Sequence, residues 1–114
     1  MRQIAVFLLC VMSFKATSAF FCEVEVQKVL IYSNGYVNIF HSGRNDFTYI
    51  CNLNSPYKEV SVTTCAMWTA FLQNVQQNQN KAVFYYKGSG SCESLATYGN
   101  SPAPVYIGTT STIR

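Results

Sequence analysis

The 114-residue chain predicts a small α+β domain. The expected architecture is a partly open antiparallel barrel of five to six strands, with one helix between strands 3 and 4 and two disulfides. Three observations lead there. Runs rich in Val, Ile, Phe and Tyr are separated by short segments of Gly, Asn and Ser. One stretch alone, Ala66 to Val75, repeats apolar residues at three- and four-residue steps. Four cysteines remain once an N-terminal leader is set aside.

The leader reading rests on Met1 to Ala19. A basic start, Met1-Arg2-Gln3, precedes the apolar run Ile4 to Phe14, and Thr17-Ser18-Ala19 supplies small residues before Phe20. The run is shorter than the ~20 residues that cross a bilayer, and no later stretch is more apolar, so no membrane insertion is expected. Residues 1–19 are therefore expected to be cleaved. Residues 20–108 form a single domain and 109–114 a loose tail, in a secreted or periplasmic protein. Loss of Arg2 and Lys15 leaves six of eight basic residues against five acidic ones, a net charge of +1. The charges are scattered, without the basic stripe that neutralises phosphates, so no nucleic-acid partner is expected.

The elements follow in order. Val24 to Tyr32 alternates, then turns apolar, and reads as the first strand. Ser33-Asn34-Gly35 is the hairpin signal, with Asn-Gly expected to form a type I′ turn. Tyr36 to His41 is the return strand, Ser42 to Asp46 a second turn, and Phe47 to Asn52 the third strand. Leu53 to Glu59, with Pro56, is a loop, and Val60 to Val62 a short extended piece. Thr63 or Thr64 is expected to cap the helix, whose apolar face would be Ala66, Met67, Trp68, Ala70, Phe71, Leu72 and Val75. Ala82 to Lys87 is a strand, Gly88 to Ser91 a turn, Cys92 to Tyr98 a further strand, Gly99 to Pro104 an irregular loop and Val105 to Gly108 a last strand. This order of elements is that of an OB-like barrel.

Cys22, Cys51, Cys65 and Cys92 read as two disulfides in an oxidising compartment. Four cysteines admit three pairings, and spacing alone does not choose. The pairing adopted is Cys51–Cys65, stapling a strand end to a helix start, with Cys22–Cys92 tying the N-terminus to a late strand. A metal site is not expected, because there is no CxxC pair and His41 is the sole histidine. No cofactor is expected either.

FTYICN, then TTCAMWTAFLQNVQQNQ, then KAVFYYKG resemble the B subunits of subtilase-cytotoxin-like and pertussis-like toxins, and a wider group of small exported bacterial proteins of unknown function. The shared features fall on Tyr49-Ile50-Cys51, on Cys65 and on Val83-Phe84-Tyr85-Tyr86. The resemblance implies an OB fold, pentameric rings and binding of sialylated or related glycans. The long aromatic segment that follows the Tyr-rich strand in those subunits is missing here.

The functional expectation is a non-enzymatic binding module for a glycan or a protein. Its ligand-binding candidates are Tyr57, Tyr85 and Tyr86 with the loop residues Asn54 and Ser55, since an aromatic ring stacks on a sugar and an amide or hydroxyl bonds its hydroxyls. Tyr85 and Tyr86 must point to opposite faces of their strand. Trp68 reads as core. The alternative is a secreted or periplasmic inhibitor, or an envelope accessory protein, acting through Gly99 to Pro104. A third reading is a small hydrolase centred on His41, near Arg44 and Asp46. It lacks a second histidine, and Glu59 or Glu93 would have to be brought in by the fold. An ordinary polar turn is the reading adopted there, and no enzyme is expected.

Overall fold

A computed structural model describes residues 18–110. Strands β1 (Ala19–Ile31), β2 (Tyr36–His41) and β3 (Asp46–Asn52) precede helix α1 (Val62–Gln77), and β4 (Lys81–Lys87) and β5 (Tyr106–Thr109) follow it. They form one antiparallel sheet in the order β3-β2-β1-β4-β5. Most of the expected leader lies outside the described residues. Of its last two, Ser18 accepts a hydrogen bond from the Gly88 N–H and Ala19 opens β1 opposite Lys87. Residues 111–114 of the expected tail also lie outside.

β1 does two jobs because it is 13 residues long. Ala19 to Glu25 pair with β4, and Val26 to Ile31 with β2. The register slips between Val26 and Lys28, leaving Gln27 as an extra residue. Such a bulge bends a strand and raises its twist. Cys22, Val24 and Val26 face the core before it, and Lys28 faces outward after it, opposite Phe40. The core continues through Val37, Ile39, Ile50, Ala82, Phe84 and Tyr86, and α1 closes it with Cys65, Leu72 and Val75. Both expected disulfides are present, Cys22–Cys92 and Cys51–Cys65, with Cα–Cα distances of 5.6 and 5.5 Å.

Four local expectations need correction. The Asn34-Gly35 turn is not type I′, because of the two only Gly35 has positive φ (+95°). The Gly35 N–H donates to Tyr32 O and the Tyr32 N–H to Tyr36 O, both at 2.9 Å, so the loop has three residues and ends in a left-handed glycine. A Cβ at Gly35 would collide with the side chains of Asn52 and Asn54. The helix is capped by Ser61 rather than Thr63 or Thr64: Ser61 is extended, and its Oγ accepts from the Thr64 N–H at 3.1 Å. The buried face of α1 is Cys65, Thr69, Leu72 and Val75, with Trp68 and Phe71 half-buried, while Ala66, Met67 and Ala70 face out. The bond to Cys51 turns Cys65 inward and sets this rotation. Thr69 is tolerated there because its hydroxyl donates to Cys65 O at 2.7 Å. Lastly, Cys92 to Tyr98 is not a strand. Cys92–Ser94 form a 3₁₀ turn and the chain then crosses to β3, where Tyr98 makes a single parallel bridge to Thr48.

Candidate functional site

Alternation along β2 and β3 sends Tyr36 and Phe40, and Phe47 and Tyr49, to the face opposite the core. There they meet rings from three other segments. Phe40 packs edge-on to Phe47 at 5.0 Å, Phe47 stacks on Tyr98 at 5.9 Å, and Tyr98 meets the edge of Tyr49 at 5.5 Å. Tyr49 stacks on Tyr36 at 4.6 Å and contacts Tyr32, and Tyr36 meets Tyr57 at 5.6 Å. The result is a continuous strip of seven rings on the outer face of β2 and β3. Lys28 lies over the Phe40 ring at one end and Lys58 over the Tyr57 ring at the other.

The strip is assembled by the late part of the chain. Lys58 Nζ donates to Gly99 O and to Ser101 O, each at 2.6 Å, and the Tyr57 hydroxyl donates to Gly99 O at 3.4 Å. Tyr98 is held by its N–H to Phe47 O at 3.1 Å, in a left-handed conformation (φ +53°). A bulky aromatic residue adopts that conformation at a cost of about 1–3 kcal/mol, and such strain collects at functional sites. The residue is nonetheless 43% exposed. Beneath the strip, buried Asn38 donates to the Tyr32 hydroxyl at 3.0 Å and its Oδ1 has no partner among the described residues. Burial raises the Tyr49 and Tyr57 hydroxyls above the ordinary tyrosine value, with neighbouring tyrosines adding to it. These phenols therefore stay protonated at neutral pH; Tyr49 can donate and accept, while Tyr57, whose proton goes to Gly99 O, can accept.

Of the residues singled out in the sequence, Tyr57 belongs to the strip. Asn54 sits at its end, beside Gly35, with its N–H donating to Asn52 Oδ1 at 2.7 Å. Ser55 is exposed in the same loop. Tyr85 and Tyr86 lie elsewhere. Tyr86 is fully buried against Phe20, which leaves no surface for a ligand. Tyr85 stands between Phe21 and Tyr106, both at 4.9 Å, in a shorter aromatic row across β1, β4 and β5. The residues that sequence reasoning passed over are Tyr32, Tyr36, Phe40, Phe47, Tyr49 and Tyr98. The alternation of YVNIFH and FTYICN marks four of them as one face, but nothing local places Tyr98 beside them.

His41 is fully buried, with Phe84 at 5.3 Å. Its Nδ1 accepts from the Gly43 N–H at 3.1 Å, so Nε2 carries the proton and has no partner among the described residues. Burial, with Arg44 nearby, lowers its pKa to about 4. Arg44 is committed to structure: it pairs with Asp46 at 2.9 Å and also donates to Ala96 O and the Thr97 hydroxyl. A neutral imidazole sealed from solvent is poorly placed to act as a general base on a ligand. No cluster of three or more His, Cys, Asp or Glu suited to a metal occurs among the described residues. No helix among them is long and apolar enough to cross a membrane. Comparison with family models, with curated proteins and with solved structures gave no match to this chain.

Proposed function

We propose that the protein is an exported, non-enzymatic binding module of OB type whose aromatic strip takes a glycan. The seven-ring strip carries the reading. It sets half-buried rings beside protonated phenol hydroxyls, an apolar surface with polar handles that can pack on a sugar and bond its hydroxyls. The OB reading draws support from β1 serving both halves of the sheet, from α1 lying between β3 and β4, and from the Thr48–Tyr98 bridge returning the chain end to the edge of β3. In OB folds the face of strands 2 and 3 is where oligosaccharides and oligonucleotides lie. Among the described residues two lysines and Arg44 flank the strip; Lys58 is tied to carbonyls and Arg44 is paired with Asp46, which favours a glycan over a phosphate backbone. The resemblance to toxin B subunits points the same way, and it adds an expected pentamer and a bacterial source.

A glycan array tests the reading. Binding is expected in the wild type and should weaken about tenfold in Tyr36→Ala, Tyr57→Ala and Tyr98→Ala, in line with ~1–3 kcal/mol for a ring stacked on a nucleobase. An array without hits overturns it. Light scattering under non-reducing conditions tests the ring assembly separately.

One observation favours the alternative of a protein-directed inhibitor or accessory protein. A groove of about 480 Å³ runs between Trp68 and Pro102 to Val105, with Lys87 on its rim. A stable protein partner lost on Trp68→Ala, with the glycan array blank, would move the function there.

A further inference from the structure

We propose that the Ser42–Asp46 turn is an acid-sensitive latch: protonation of His41 breaks the turn's bond to the imidazole and frees the segment that holds Tyr98 on the aromatic strip. The bearing of this latch on ligand binding rests on the glycan reading, whereas the latch itself can be observed without ligand.

The nitrogen open to a proton is Nδ1, and it is the atom that accepts from the Gly43 N–H at 3.1 Å. A proton there sets two N–H donors face to face. The turn has little room to adjust, because a Cβ at Gly43 would lie 2.7 Å from Val24 and 3.2 Å from the His41 ring. The new charge also faces Arg44, one residue further along the turn.

Arg44 links the turn to the end of the chain. It donates to Phe47 O at 3.4 Å, to Ala96 O at 3.3 Å, to Asp46 and to the Thr97 hydroxyl, which itself donates to Asp46 at 3.2 Å. The next residue is Tyr98, in its left-handed conformation. Once the turn moves, Thr97 loses its anchor, and release of the backbone strain favours departure of Tyr98 from Phe47 and Tyr49.

The charged and titratable side chains near His41 are few. Its own turn supplies Arg44 and Asp46. β1 supplies Glu25, whose N–H donates to Ser42 Oγ at 2.9 Å. β4 presents the uncharged ring of Phe84, and α1 contains no titratable side chain apart from the disulfide-bonded Cys65. Burial holds His41 neutral until the pH falls toward 4. The disulfides anchor β1 and β3 to the rest of the chain, so the opening is local.

The test is amide exchange at the Tyr98 N–H, corrected for the intrinsic effect of pH and followed from pH 7 to about 3, through the His41 titration, alongside the His41 ring resonances. In the wild type, Tyr98 protection should fall at least tenfold as His41 titrates, while amides of β1 and β4 stay protected. In His41→Asn, whose Oδ1 stands where Nδ1 accepts from Gly43 and which takes up no proton, Tyr98 protection should stay flat. Unchanged Tyr98 protection while His41 titrates overturns the proposal. Equal loss across the whole sheet also overturns it, as does the same acid loss in His41→Asn, which would assign the effect to Asp46. None of these results depends on a glycan, so a blank array and a failed latch are separate outcomes.

Discussion

His41 shows how one buried side chain sets a pH window for the fold. In the unfolded chain the imidazole takes a proton near 6.5, and in the folded one only near 4. Between those values the unfolded state binds the extra proton, so stability is complete above 6.5 and is lost as pH falls through 4. The shift corresponds to roughly 3 kcal/mol, an upper figure if the turn opens and readmits water. Denaturant midpoints at pH 7 and pH 4 should differ in that direction, with a smaller difference in His41→Phe, where nothing titrates at this position. An identical acid loss in that variant would place the effect on other groups. Asp46 contrasts with it. Its carboxyl is held below the ordinary value mainly by the Phe47 N–H, but it is solvated and makes a poor stability lever. The sequence showed His41, Arg44 and Asp46 as neighbours. Which of them was buried depended on the strand register, since His41 lies opposite Val26 of β1 on the core side.

At the scale of elements, α1 gives the sharpest test. Ser61→Ala should cost about 1 kcal/mol, since the Thr64 N–H loses its acceptor. Met67→Lys should stay within about 0.5 kcal/mol, because Met67 is 69% exposed. Leu72→Ala should cost about 2–5 kcal/mol through the cavity it leaves. Thermal melts of the three variants check the ordering, and a large loss in Met67→Lys would mean the helix face is misassigned. The existence of α1 was legible in its periodicity, but its rotation was not. Ala66, Met67 and Ala70 are apolar enough to suggest a wider buried face than the fold uses, and the tie from Cys65 to Cys51 selects the narrower one. β2 and β3 were legible almost to the residue, because alternating Val, Ile, Phe and Tyr leaves little choice of face. Cys92 to Tyr98 was not, because its path follows from Cys22 and Arg44, which are distant in sequence.

Over the whole molecule, the two disulfides divide the labour of holding a small core. Cys22–Cys92 spans 70 residues and Cys51–Cys65 spans 14. In the chain-entropy model their loops are worth about 4 and about 3 kcal/mol. The double variant Cys22→Ala/Cys92→Ala should therefore lower the denaturation midpoint more than Cys51→Ala/Cys65→Ala. The reverse order would show that native contacts, and not loop length, dominate. The aromatic strip is likewise a property of the whole chain, drawing rings from the β1–β2 turn, β2, β3, the loop before α1 and the segment before β5.

The sequence by itself determined β2, β3, β4, the single helix and the cysteine inventory, because each depends on local periodicity, composition or a count. It also supplied the aromatic residues, without saying which would share a surface. Only the tertiary structure decided that Tyr86 is core and Tyr98 is not. It alone separated Tyr85 and Tyr86 from Tyr57, Asn54 and Ser55, and placed those three at the end of an aromatic strip on the outer face of β2 and β3. The physical reason is that a surface of this kind is built from contacts between distant segments. Its geometry depends on register, on one bulge and on a few long-range hydrogen bonds, none of which leaves a periodic mark in the chain.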